Sequence, residues 1–256
     1  MNSPQTANHP KISGDLLDCN DYIRSRLSPQ PSDELYLHLA DLGEGLKKLS
    51  SKQNLKVLDY GCGGSPYKSL FPNSVYHRAD YIELEGLDFK ICEDAKLPNV
   101  PDNTYDIVLS TQVLEHVRRP EDYLQEAIRI LKPGGKLILT THGVFYDHAC
   151  PYDFRRWTAD GLILILDDAG FSKREISKLT TNTRAIFFLA ENAFSGLVES
   201  RMTKAGIALW LFREWFWSNR ELRNRFCDKH FSTNTVVPSE TPGHPLYIAL
   251  MAVAVK

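Results

Sequence analysis

The chain has 256 residues, with 30 lysines and arginines against 32 aspartates and glutamates, so its formal net charge is −2. Hydrophobic residues make up 43% and charged residues 24% of the sequence, which is typical of a globular protein with a buried core and excludes a disordered chain. The absence of a positive excess argues against nucleic acid as a partner, because sequence-independent binding requires neutralisation of phosphates.

The first 49 residues predict a tail followed by two helices. Residues 1–14 are rich in Pro, Asn and Ser and lack the apolar stretch of a signal peptide. Residues 16–27 and 33–49 each predict a helix, separated by a proline-containing turn, and Ser32 is the expected N-cap of the second. We therefore divide residues 1–32, a tail and helix, from a core that begins at residue 33.

Short apolar runs alternate with helical patterns between residues 55 and 179. The predicted strands cover residues 55–60, 75–81, 87–92 (the weakest), 105–110, 136–141 and 174–179. Residues 120–131 and 158–169 predict helices, and Ser65 with Pro66 suits the start of another. This alternation predicts an α/β fold with a doubly wound, Rossmann-like parallel sheet, which binds ligands beyond the carboxyl ends of its strands. The core then spans residues 33–180.

The segment 181–242 is too long for an ordinary connection and predicts a helical insert or lid. Residues 243–256 include a continuous apolar run at 246–255, which predicts a final buried strand and is shorter than the roughly 20 residues of a membrane span. Trp210, Trp215 and Trp217 alternate with arginines in the insert. We expect this amphipathic pattern to cover the site or a second subunit in a homodimer; the alternative is peripheral docking on a membrane.

The five cysteines are scattered and form no CxxC pair, which favours a reducing, cytoplasmic environment. No group of His, Cys and Asp has metal-ligand spacing in the sequence, so we predict no metal site.

A glycine-rich turn follows the first predicted strand, in the sequence Val-Leu-Asp-Tyr-Gly-Cys-Gly-Gly at residues 57–64. Gly61 and Gly63 allow a ligand to approach the bare backbone. A nicotinamide dinucleotide site would need a third glycine where Pro66 stands. Asp59 would repel a pyrophosphate and favours a cationic ligand, and a sulfonium that carries an amino group fits that charge.

Asp80 lies at the predicted end of the second strand, where a carboxylate can accept hydrogen bonds from both hydroxyls of a ribose. Asp94, Thr111 and Gln112 follow the next strands, although ordinary turn and cap chemistry explains each of them equally well. The predicted cofactor-binding residues are Asp59, Tyr60, Gly61, Cys62, Gly63, Asp80, Tyr81, Asp94, Ala95, Thr111 and Gln112.

Three motifs carry a resemblance to class I methyltransferases that use S-adenosylmethionine (SAM). Residues 57–63 resemble motif I of that family, residues 105–117 resemble the strand-four motif of its type-11 branch, and residues 131–137 resemble the turn after the following helix. The resemblance implies SAM as cofactor and S-adenosylhomocysteine (SAH) as product. It also implies a seven-stranded sheet with strands one to six parallel and the last strand antiparallel beside strand six.

The segment 141–158 is dense in His, Asp, Arg and aromatic residues. It resembles a segment of methyltransferases from sugar, polysaccharide and natural-product pathways, matching at His148, Pro151, Asp153, Phe154, Arg156 and Thr158. The resemblance implies a small-molecule or glycan acceptor. The expected substrate-binding residues are Tyr146, Tyr152, Arg155, Arg156 and Trp157.

A hydroxyl acceptor must lose a proton during in-line methyl transfer, and histidine is the usual base near neutral pH. We expect His148 to be the base, with His116 the second candidate and Asp153 an orienting carboxylate. Alternatively, His148 and Asp153 fix the loop through Arg155 or Arg156, and His116 only packs near the cofactor. The sequence thus favours O-methylation; the alternatives are N-methylation, a nicotinamide-dependent oxidoreductase and a non-catalytic binding protein with this fold.

Overall fold

The computed structural model describes residues 20–148, 152–195, 204–243 and 245–256. The predicted tail, the first residues of the helix expected at 16–27, and Cys19, Cys150 and Pro151 lie outside the described residues.

A single mixed sheet forms the centre of the molecule. Its eight described strands are β1 (Lys56–Tyr60), β2 (Val75–Asp80), β3 (Phe89–Lys90), β4 (Tyr105–Thr111), β5 (Leu131–His142), β6 (Ser172–Thr181), β7 (Val236–Pro238) and β8 (Tyr247–Val255). They lie in the order β3-β2-β1-β4-β5-β8-β6-β7, and the strands from β3 to β5 pair in parallel. The strand order reverses between β1 and β4, which opens a crevice at their carboxyl ends.

The final strand β8 lies between β5 and β6 and is antiparallel to both. Ala249 of β8 pairs with His142 of β5 on one side and with Leu179 of β6 on the other. This confirms the Rossmann-like methyltransferase sheet and the antiparallel last strand beside strand six. The sheet also carries β7, an antiparallel edge strand of three residues on β6 that the sequence did not predict.

Seven described helices surround the sheet. They are α1 (Asn20–Leu27), α2 (Tyr36–Lys48), α3 (Pro120–Ile130), α4 (Ala159–Asp168), α5 (Asn182–Ser195), α6 (Lys204–Ser218) and α7 (Arg220–His230). The predicted start of α4 is confirmed, because the Thr158 hydroxyl accepts a 3.0 Å hydrogen bond from the Gly161 N–H.

Two predicted helix starts were wrong. Helix α2 begins at Tyr36 after Leu35 and has no side-chain cap, so Ser32 does not cap it. After the glycine turn, the chain forms only a single 3₁₀ turn, Lys68–Leu70, because Pro72 follows within two residues and cannot continue a helix.

The core lies on both faces of the sheet, because alternate side chains of a strand point in opposite directions. Leu58 packs with Leu124 of α3 and other residues on one face, whereas the adjacent Val57 packs with Leu42 of α2 on the other. All four side chains are fully buried. The result is a three-layer α/β/α arrangement.

The insert is tied to the core by buried ion pairs. Arg184 of α5 is 1% exposed and binds both oxygens of Asp41 on α2, at 2.6 and 3.0 Å. It also donates a 3.0 Å hydrogen bond to Asp228 of α7. By contrast, Trp215 of α6 is exposed. No helix in the described part of the chain is both long and apolar enough to cross a bilayer.

Candidate active site

A cavity of about 630 Å³ lies at the carboxyl ends of β1, β2, β4 and β5. Its wall joins two groups of side chains that are far apart in the sequence. One end carries Gly61, Gly63 and Asp80, and the other carries a group of histidines. This places the predicted site at the strand-order reversal.

The glycine turn has a backbone that disfavours other residues. Gly61 has a φ of +83°, and a Cβ placed on it would lie 2.6 Å from the Cγ2 atom of Val113. Gly63 has a φ of +47°. Both positions therefore favour glycine, and the turn keeps its backbone exposed to the cavity.

The Asp80 carboxylate is held by the backbone around it. Its Oδ2 accepts a 2.8 Å hydrogen bond from the Gly63 N–H, and its Oδ1 accepts a 2.9 Å hydrogen bond from the Ile82 N–H. Each carboxylate oxygen can accept more than one hydrogen bond, so both retain capacity for a ligand. Tyr81 and Cys62 also line this end of the cavity.

Asp59 and Tyr60 lie behind the turn and are not on the cavity wall. Asp59 is 2% exposed and accepts a 2.7 Å hydrogen bond from the Tyr76 hydroxyl, and burial raises the pKa of Asp59 to about 7. Tyr60 stacks on Tyr123 and donates to the Ala95 carbonyl. Both residues support the wall from beneath, where they fix the turn and the segment at Ala95.

Of the four predicted cofactor residues at the ends of β3 and β4, three lie on the cavity wall and one does not. Ala95, Thr111 and Gln112 line the cavity, whereas Asp94 is half-exposed beside Lys96 and does not. Gln112 has a φ of +55° and donates from Nε2 to the Thr140 hydroxyl at 3.1 Å. Its Oε1 is buried without a partner in the described structure and is available to a ligand's donor.

Four histidines meet at the opposite end of the cavity. The ring centroids of His38 and His142 are 5.4 Å apart, those of His142 and His148 are 4.8 Å apart, and those of His148 and His116 are 4.9 Å apart. Burial lowers the pKa of His38 to about 3 and lowers the pKa of each of the other three rings. All four rings are therefore neutral near pH 7.

Each predicted base has an oriented ring nitrogen. The Nδ1 of His116 lies 2.6 Å from the Tyr152 carbonyl oxygen, which can only accept, so Nδ1 carries the proton and Nε2 the lone pair. The Nδ1 of His148 lies 3.3 Å from the Oδ2 atom of Asp153, which also forms an ion pair with Arg156. Asp153 therefore both faces His148 and fixes the loop.

Glu115 lies among these histidines and is fully buried. Its Oε2 accepts a 2.8 Å hydrogen bond from the Thr141 hydroxyl, and its Oε1 lies 3.2 Å from the Nε2 of His142. Burial raises the pKa of Glu115 to about 7. Glu115, His142 and His148 each have one potential ligand atom, and these three atoms lie within 4.8 Å of one another. They are a potential set of metal ligands that spacing in the sequence did not predict.

The predicted substrate-binding residues have two different positions. Tyr146 and Tyr152 line the cavity. Arg155 instead donates to the Val117 carbonyl at 2.8 Å, Arg156 binds Asp153, and Trp157 packs against the core. These three residues shape the loop from behind.

Sequence reasoning missed several residues of the cavity wall. His38 and His142, and Tyr22 and Arg26 of α1, line the cavity but were not among the candidates. Glu115 was not a candidate either; it is fully buried, and its Oε1 lies 3.2 Å from the Nε2 of His142. His142 ends β5 and Glu115 follows β4, so their positions past strand ends were a usable signal. His38 lies on a buried helix face and gave no such signal.

Comparisons with known proteins identify the family of the chain. Residues 35–176 match a family model described as a methyltransferase domain. The human mitochondrial ubiquinone biosynthesis O-methyltransferase is 28% identical over 105 residues, which cover 34% of this chain and 28% of that protein. An uncharacterised protein of Methanocaldococcus jannaschii is 38% identical over 99 residues, covering 37% and 44% of the two chains. The chain thus aligns with less than half of the length of either relative.

A solved structure, a SAM-dependent methyltransferase from Archaeoglobus fulgidus, has the same fold. It superposes with a TM-score of 0.53 at 15% identity, covering 93% of this chain and all of that one. The family model itself spans more than half of the chain, including the glycine turn, Asp80 and all four histidines of the cavity. The chain therefore belongs to the methyltransferase domain family.

Proposed function

We propose that the protein transfers the methyl group of SAM to a hydroxyl group of a small molecule or glycan and releases SAH. The observation that carries this proposal is a cavity that joins the glycine turn and Asp80 to a group of four histidines, two of them buried and two partly buried. The first end suits the adenosyl half of SAM, and the second suits an acceptor that must lose a proton.

The cofactor end has the polarity that SAM requires. Asp80 is the carboxylate for the ribose hydroxyls, and its geometry is fixed by the N–H groups of Gly63 and Ile82. Gln112 offers an unpaired Oε1 to the ammonium group of the methionine half. Asp59 acts from beneath the turn, where its negative charge, when ionised, favours a cationic ligand over a pyrophosphate.

His116 is the proton acceptor that the hydrogen bonds favour. The Tyr152 carbonyl holds the proton on Nδ1 and leaves the Nε2 lone pair to take a proton from the acceptor. His148, the first candidate from the sequence, lies 3.3 Å from Asp153 and is grouped with Glu115 and His142. The closeness of His148 to Glu115 and His142 favours a role for His148 other than that of the base.

Cofactor binding is tested by calorimetry with SAM, SAH and NAD. We expect SAM and SAH to bind and NAD not to bind, and Asp80→Ala to weaken SAM by more than about tenfold, since two hydroxyls lose a charged acceptor. Asp94→Ala is the matched control, because it removes a half-exposed carboxylate outside the cavity. Binding of NAD in place of SAM would favour the oxidoreductase alternative.

Methyl transfer is tested with SAM labelled on its methyl group and a panel of phenols and sugars, each paired with the corresponding amine. We expect label in the hydroxyl compounds, and His116→Gln to lower turnover by about 10²- to 10⁴-fold with unchanged SAM affinity. Label only in the amines would favour N-methylation. SAM binding without transfer to any acceptor of the panel would favour the non-catalytic alternative.

A further inference from the structure

The acceptor end of the cavity contains a donor set that general base catalysis does not explain. Glu115 lies on the 3₁₀ turn Leu114–His116 after β4, His142 is the last residue of β5, and His148 lies in the loop that follows. One carboxylate oxygen and two imidazole nitrogens of these residues lie within 4.8 Å of one another. Two imidazoles and one carboxylate are a donor set that divalent transition metals bind with positions left open.

The Glu115 carboxylate is placed as a ligand would be. It is fully buried, and its Oε1 has no hydrogen-bond partner in the described part of the chain. Among the described residues, no lysine or arginine forms an ion pair with it, and the Nε2 of His142 lies 3.2 Å from its Oε1. A buried carboxylate without a cation is costly, and a bound divalent ion would remove that cost.

The groups behind the three residues orient them. The Thr141 hydroxyl holds the Oε2 of Glu115, so that Oε1 is the free oxygen. The Oδ2 atom of Asp153 accepts a 3.0 Å hydrogen bond from the backbone N–H of His148 and lies 3.3 Å from its Nδ1, so Asp153 fixes the position of that residue. His142 belongs to a central strand, where it pairs with Ala249 of β8. Carboxylate and hydroxyl partners of this kind are the usual outer contacts of metal ligands.

We propose that Glu115, His142 and His148 bind a divalent transition metal ion, for which Zn²⁺ is the probe, at the acceptor end of the cavity. For Zn–N and Zn–O bonds of about 2.1 Å, each of the three ligand atoms has to move toward the ion by less than about 1 Å. Three protein ligands leave a fourth position open to the cavity. Nitrogen ligands disfavour Mg²⁺ and Ca²⁺, which prefer oxygen.

The role of the ion in catalysis rests on the proposed function. The acceptor hydroxyl binds the open position, and the ion lowers the pKa of that hydroxyl. The acceptor oxygen then forms a bond to the methyl carbon of SAM as the carbon–sulfur bond breaks, and SAH leaves as a neutral thioether. The hydroxyl proton goes to the Nε2 of His116, which the Tyr152 carbonyl keeps unprotonated.

Metal binding is measured directly on the full chain after removal of bound metals with a chelator. Calorimetry with Zn²⁺ should show one tight site per chain, and Mg²⁺ should bind far more weakly. Glu115→Gln and His142→Ala should each weaken Zn²⁺ binding by more than about 100-fold. His77→Gln is the matched control, because His77 bonds to Tyr105 outside the cavity and should leave Zn²⁺ binding unchanged.

Co²⁺ provides a second measurement that does not depend on activity. Its visible absorption should indicate nitrogen and oxygen ligands without the strong near-ultraviolet band of a thiolate, which excludes the free cysteines Cys62, Cys92 and Cys227 as the site. Circular dichroism checks that Glu115→Gln is folded. Equal Zn²⁺ affinity of folded Glu115→Gln and the unchanged protein, or a thiolate band, would overturn the proposal.

The two proposals fail in different experiments. If the metal-free protein and Glu115→Gln transfer methyl groups to hydroxyls at the full rate, the catalytic metal is overturned and the O-methyltransferase stands. If Zn²⁺ binds as expected but no hydroxyl compound is methylated, the metal site stands and the proposed function is overturned.

Discussion

Gly61 shows how a single residue shapes the cofactor end of the cavity. Gly61→Ala would place a Cβ 2.6 Å from Val113 at a φ of +83°. We expect it to lower the free energy of unfolding by about 1–3 kcal/mol and to weaken SAM binding, because the turn must move to relieve the contact. Urea unfolding and calorimetry measure the two effects.

Gly134→Ala is the control for this variant. Gly134 has a similar φ of +78°, but a Cβ there meets no atom within 4 Å. It should show a smaller loss of stability and unchanged SAM affinity. Normal SAM binding by Gly61→Ala would contradict the role of the turn.

Asp59 should make stability depend on pH. Burial raises the pKa of folded Asp59 to about 7, whereas an unfolded aspartate has a pKa of about 3.9. The folded state therefore keeps this proton up to a higher pH than the unfolded state does. The free energy of unfolding should consequently fall as pH rises from about 4 to 7.

Asp59→Asn removes that dependence and keeps an acceptor for the Tyr76 hydroxyl. The stability of the variant relative to the unchanged protein should therefore rise over the same range. Urea unfolding of the ligand-free proteins at a series of pH values checks this. A difference between the two proteins that does not change with pH would contradict it.

Chain order explains why the predicted cofactor residues meet in one cavity, but it does not explain the group of histidines at the other end. Gly61, Gly63 and Asp80 follow adjacent strands, so chain order alone placed them on one edge of the sheet. His38 lies on a helix and Glu115 on a 3₁₀ turn, and only tertiary packing brings each of them close to His142. Patterns within one segment do not contain that information.

Among the elements, α5 depends on a buried charge network. Arg184 binds Asp41, which is 1% exposed, and Asp228, which is 37% exposed at its side chain. Arg184→Met would leave the buried Asp41 carboxylate without an opposite charge, and we expect a loss of about 3–5 kcal/mol in the free energy of unfolding. Urea unfolding is the measurement.

Asp228→Asn tests the same network from its exposed side. It keeps one acceptor oxygen, which can face Arg184, and its Nδ2 group can donate to the Tyr36 hydroxyl, so the loss should be clearly smaller. Equal losses in the two variants would contradict the importance of the Arg184–Asp41 pair.

Elements with clear start and stop signals were predicted well. Short strands were predicted less well, because β3 was predicted over residues 87–92 and β7 was not predicted. Helix α3 was found at Pro120–Ile130 because proline begins it and the Lys-Pro-Gly-Gly segment follows it. The strands β3 and β7 have two and three residues. They exist because a neighbouring strand offers free hydrogen-bonding groups, and a run of that length has no detectable periodicity.

At the scale of the whole molecule, α1 completes the cavity. It has no buried residues, but Tyr22 and Arg26 line the cofactor end, with the Arg26 guanidinium 3.6 Å from the Tyr22 ring centroid. We expect Tyr22→Ala to weaken SAM binding by about tenfold with little loss of stability. Arg24→Ala, on the same helix but paired with Asp33, should leave SAM affinity unchanged. Calorimetry on both variants checks this, and equal affinities would contradict it.

The position of β8 has a consequence for biosynthesis. Because β8 fills the space between β5 and β6, a nascent chain that has not yet reached residues 247–255 exposes two strand edges and lacks the partner of His142. The cavity is therefore among the last parts of the protein to form on the ribosome. Premature release should give an aggregation-prone fragment with an incomplete cavity, which cellular quality control can recognise.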